Sequence, residues 1–74
     1  MEIKISSRGK IELSGLYKHH SMVVTLQKVT LFSETAWGIT AGGSVHFFND
    51  LGDALDYLST LLSPEENREL LQAL

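Results

Sequence analysis

Three histidines, His19, His20 and His46, are the side chains best suited by type to metal ligation or proton transfer, with nine Asp and Glu residues to supply carboxylates. Adjacent residues on an extended chain point to opposite sides, so His19 and His20 do not form a ligand pair by themselves. His46 would have to join one of them with a carboxylate, and the short helical or loop spacings of zinc sites are missing. His46 beside a Ser or Asp invites comparison with a catalytic triad. There is, however, no strand-nucleophile-helix elbow, and an 8.2 kDa chain has little room to enclose a substrate. Gly42-Gly43 lacks the following Lys of a phosphate cradle and has no helix N-terminus behind it. These residues therefore predict a chain that is not an enzyme and carries neither metal nor cofactor.

Recognition is the remaining chemistry. Tyr17-Lys18-His19-His20 sets aromatic, cationic and donor groups in a stretch without periodicity, and such loops on rigid scaffolds often carry binding. The alternative is a plain connector with Tyr17 against the sheet edge. Asp50, Asp53 and Asp56 recur every three residues and form an acidic stripe with Glu65, Glu66 and Glu69 beyond it. Such a stripe is a solvated helix face, favoured near the helix start by the dipole, or a docking surface for a basic partner.

The elements that would position these groups follow from hydropathic period. Ile3 and Ile5, then Ile11 and Leu13, alternate with polar residues as in half-buried strands. A Ser7-Arg8-Gly9 loop ending in a left-handed Gly pairs Ile5 with Ile11, Ile3 with Leu13 and Lys4 with Glu12. Val29, Leu31, Trp37, Ile39, Val45 and Phe47 continue the alternation. With Ser33-Glu34-Thr35 and Ala41-Gly42-Gly43 as loops, all six share one face, Trp37 being the largest core residue. Met22, Val24 and Leu26 have the opposite parity, so that phase requires a bulge near Gln27 and Lys28. Lys4, Glu12, Thr30, Thr40, Ser44 and His46 are left for solvent.

From Leu51 the period becomes helical. Leu51, Ala54, Leu55, Leu58, Leu61 and Leu62 fall within an arc of about 120° at about 100° per residue, behind an Asn49 or Asp50 cap. Ser63-Pro64-Glu65-Glu66 starts a second helix with a capping box and Pro at its first position, whose stripe is Leu70, Leu71 and Leu74. The fold class is α+β: an antiparallel sheet of four to five strands with two C-terminal helices on one face, in a single small domain of residues 1–74. In these registers Phe32, Ala36 and Phe48 form an apolar row on the outer face, the pattern of a contact surface.

The composition narrows the partner. A net charge of -3 disfavours nucleic acid and anionic lipid, although aromatics on an open outer sheet face that can stack on bases, with Lys4, Arg8, Lys10 and Lys18 near the first hairpin, leave single-stranded nucleic acid as an alternative. Cysteine is absent, so cohesion comes from packing alone. No segment approaches the ~18 consecutive apolar residues of a membrane span, and a cytoplasmic protein is expected. The leading expectation is a small protein-interaction module, an inhibitor or adaptor, binding through Phe32, Ala36, Phe48, His46, Tyr17, His19, His20, Asp53 and Asp56. A homodimer through the same patch is the other alternative. In layout alone, strands followed by two helices in a compact acidic chain is similar to small phage-encoded inhibitors of bacterial defence, some anti-CRISPR proteins among them. That resemblance implies a protein target.

Overall fold

The computed structural model describes all 74 residues, and its first hairpin follows the expected register. β1 (Glu2–Ile5) and β2 (Ile11–Ser14) pair Ile5 with Ile11, Ile3 with Leu13 and Lys4 with Glu12. The Ser6 amide donates to the Lys10 carbonyl at 2.9 Å, and Ser6 Oγ accepts from the amides of Arg8 and Lys10 at 3.3 and 3.1 Å. Gly9, at φ 84°, supplies the left-handed residue that closes the loop.

β3 (Val24–Leu31), β4 (Glu34–Ala41) and β5 (Ser44–Phe48) complete a five-stranded antiparallel meander in the order β1-β2-β3-β4-β5. Both of its later turns are shorter than the period suggests. Phe32 and Ser33 alone join β3 to β4, pairing Leu31 with Glu34, Val29 with Ala36 and Leu26 with Ile39. Gly42 and Gly43 alone join β4 to β5, so Ile39 faces His46 and Trp37 faces Phe48. The central residues of both turns have positive φ, 51° and 68° in the first and 56° and 86° in the second. Two such residues make the turn that follows the natural twist of a hairpin.

The shorter turns change which residues share a face. Val24, Leu26, Trp37, Ile39 and Ala41 point to the helices, while Val29, Leu31, Val45 and Phe47 point away. No bulge is needed at Gln27 and Lys28, because β3 pairs continuously with β4 over all eight residues. The parity conflict is resolved by the outward turn of Val29 and Leu31. Lys4, Glu12 and Thr40 keep the outer side expected of them, but Thr30, Ser44 and His46 fall on the helix side at exposed positions.

α1 (Leu51–Ser59) starts where expected: Asp50 Oδ1 accepts from the amides of Gly52 and Asp53 at 2.7 and 3.3 Å. Asp50→Ala removes the acceptor for both and costs about 1 kcal/mol. In a thermal melt this lowers the midpoint by about 4–8 °C for a domain of this size. α2 (Pro64–Ala73) has Pro64 in its first turn and a complete Ser63/Glu66 capping box. Ala54, Leu58 and Leu62 enter the core fully, and Leu70 alone of the second stripe does so, since Leu71 and Leu74 are exposed. The core centres on Leu13, Leu16, Val24, Leu26 and Ile39 beneath the helices. Trp37 is half-buried at its margin with the Lys28 ammonium 5.8 Å from its ring centre, so leucine and isoleucine, not the indole, are the largest fully buried side chains.

Candidate protein-binding face

The uncovered side of β3, β4 and β5 carries an apolar strip built by the two short turns. Phe47 lies opposite Gly38, and a Cβ on Gly38 would come within 3.2 Å of Phe47 Cε1. The missing side chain lets the phenyl ring lie across β4, yet Phe47 stays 54% exposed. Val45, next on that face of β5, is 53% exposed, and Leu31 at the end of β3 is 38% exposed. Val29 is half-buried opposite a buried Ala36. None of these outer residues belongs to the core cluster.

Phe32 stands at one end of this strip and is 100% exposed. A non-glycine residue with positive φ is uncommon, and a bulky one there is a conformational outlier. Phe32 therefore combines a strained backbone with a side chain that gains no burial from the fold. Nothing internal rewards a phenylalanine at this position.

The expected row of Phe32, Ala36 and Phe48 does not form. Phe48 faces the helices with its ring 5.4 Å from that of Tyr57, and His46 lies on the same side with its ring 4.8 Å from Tyr57. Ala36 is on the outer face but buried, leaving Phe32 as the one exposed member. Val45 and Phe47 take the place assigned to Phe48. The signal for them was the Gly42-Gly43 pair, the sequence form of a two-residue hairpin.

The remaining expected residues lie on other surfaces. Asp53 and Asp56 are exposed on α1. Tyr17, 74% exposed, and His20 border an open groove of about 590 Å³, whose other wall includes Pro64, Glu65 and Glu69. His19 is half-buried nearby in sequence but does not line the groove. No group of three or more His, Cys, Asp or Glu is placed to hold a metal ion.

Glu66 closes the floor of that groove and is buried. Its Oε1 accepts from the Ser63 amide at 2.9 Å and its Oε2 from the Tyr17 amide at 3.0 Å, while its own amide donates to Ser63 Oγ at 3.3 Å. Burial alone would raise the carboxyl pKa, but the backbone bonds from Ser63 and Tyr17, the Ser63 side chain and the chain's N-terminal ammonium together hold it below its ordinary value. The carboxylate thus ties the start of α2 to the loop between β2 and β3. Its acceptor oxygens are engaged within the fold, which makes it a structural clamp. The apolar strip is the surface left without an internal purpose. Comparison with protein-family models, with curated proteins and with solved structures gives no match for this chain.

Proposed function

We propose that this protein is a small non-catalytic binding module, an inhibitor or adaptor in the cytoplasm, that grips a larger protein with Phe32 and the adjoining strip of Leu31, Val29 and Phe47. The observation that carries this reading is the complete exposure of a phenylalanine held at φ 51°. Contact residues of this kind are aromatic anchors that enter a pocket on the partner, ringed by contacts that exclude water. A partner with an apolar socket suits this end of the sheet. The net charge of -3 argues against nucleic acid as the target. The strands-then-helices layout shared with small phage inhibitors of bacterial defence is compatible with such a role.

The test is affinity capture from cells that carry the gene, with the wild-type chain and the Phe32→Asn/Ser33→Gly variant immobilised side by side. Proteins retained by the wild type are expected to be depleted at least tenfold on the variant, equal to about 1.4 kcal/mol of binding. Equal retention on both columns overturns the assignment of the turn as the anchor.

A further inference from the structure

The geometry points to a second site, the free edge of β5, and to its occupant, β5 of a second copy of this chain in antiparallel two-fold pairing. In a two-residue hairpin the pair flanking the turn exchanges hydrogen bonds, and bonded and non-bonded pairs then alternate. From Ala41/Ser44 outward, the bonded residues of β5 are Ser44, His46 and Phe48. Val45 and Phe47 aim their backbone N–H and C=O at the open edge. No hydrogen bond from a loop or side chain reaches either residue.

Natural sheets blunt such edges with charges, proline or bulges. β1, the opposite edge, carries Glu2 and Lys4, whereas β5 reads Ser-Val-His-Phe-Phe with no Asp, Glu, Lys or Arg, no proline and no bulge. Residues 44–47 are all exposed. A two-fold axis through His46 sets Val45 opposite the partner copy's Phe47, and Phe47 opposite its Val45. Those are the residues with free backbone groups, so the pairing forms four hydrogen bonds and matches an aliphatic to an aromatic side chain twice on the outer face. The strand is complementary to itself in both respects, which is what an isologous contact requires.

The edge is about 17 Å long and about one sheet layer, roughly 10 Å, deep. That is well below the ~800 Å² per partner of a standard interface, so the pairing is weak and concentration-dependent. It makes a continuous ten-stranded sheet with the two Phe32 turns, each between β3 and β4, on opposite rims, and makes the molecule bivalent toward its target.

Sedimentation equilibrium from about 1 μM to about 1 mM, concentrations that span micromolar to millimolar dissociation constants, is expected to show the apparent mass rising toward twice 8.2 kDa. Over the same range, amide exchange at Val45 and Phe47 should slow several-fold while Ile3 and Ile5 on β1 stay unchanged. Val45→Pro, which removes an N–H aimed at solvent, and Val45→Lys should each keep the monomer's circular dichroism and abolish the rise in mass. Val45→Lys serves alone if the proline variant does not fold. A chain that stays monomeric throughout, a dimer that survives the folded Val45 variants, or protection appearing at β1 overturns the proposal. The Phe32→Asn/Ser33→Gly variant should dimerise like the wild type, so loss of partner capture and loss of self-pairing are separate results.

Discussion

Replacing Phe32-Ser33 by Asn-Gly is expected to stabilise the domain while removing the anchor we propose. Both residues occupy positive φ, where an L side chain crowds the following carbonyl at a cost of roughly 1–2 kcal/mol per residue. Asn-Gly is the pair that two-residue hairpins prefer for this reason. The substitution sacrifices no burial, since Phe32 is 100% exposed, and Ser33 makes no side-chain hydrogen bond. The net gain should be about 2 kcal/mol, seen as a rise of about 8–16 °C in the thermal midpoint. Stabilisation with loss of partner is the signature of a residue kept for contact. A variant less stable than the wild type would show that Phe32 supports the turn after all.

Glu66→Gln is expected to have an effect of similar size in the other direction. The two carboxylate oxygens each accept one backbone N–H, from Ser63 and from Tyr17, and an amide side chain has only one acceptor oxygen. One partly buried N–H then faces an NH₂ group. Hydrogen bonds to charged groups contribute about 1.5–3 kcal/mol, so a loss of about 2 kcal/mol should lower the midpoint by about 8–16 °C. Tyr17 and its loop should exchange amide protons faster than the sheet does.

The same clamp makes stability depend on pH. Because the Glu66 carboxyl is held below its ordinary value of 4.5, the unfolded chain binds its proton more readily than the folded one. The contribution is complete above the unfolded value and is lost as pH falls through the folded value. Denaturant titrations of wild type and Glu66→Gln should therefore differ most near neutrality and converge as the pH drops well below 4.5. A gap that stays constant across this range would mean that the carboxylate's charge plays no part in the clamp.

The first hairpin and both helix starts could be read from local chemistry because each is decided within a few residues. Ser6 and Gly9 close their loop without help from elsewhere, and Asp50, Ser63 and Glu66 satisfy the amides of the turns they begin. The register of β3, β4 and β5 was not legible in the same way. The hydropathic period there admits two arrangements. One gathers Val29, Leu31, Val45 and Phe47 with Trp37 and Ile39. The other, adopted here, gathers Val24, Leu26 and Ala41 with them instead. A change of one residue in each turn exchanges the faces, because side chains on a strand alternate with a period of two. The expected row of Phe32, Ala36 and Phe48 was lost with that exchange, and Val45 and Phe47 came to the outer face instead.

By itself the sequence determined the α+β class, the element order, the helix starts and the first strand pair, all of which follow from period and capping over short spans, whereas α1 ends at Ser59 and leaves Leu61 and Leu62, expected on its stripe, in the turn that follows. Only the tertiary structure decided which side of the last three strands meets the leucines of α1 and α2. That choice depends on how the whole sheet, entered through Leu13, Leu16, Val24 and Leu26, packs beneath those helices. Burial there is cooperative: no single turn can weigh it, and the strip left in solvent is the residue of the packing that wins.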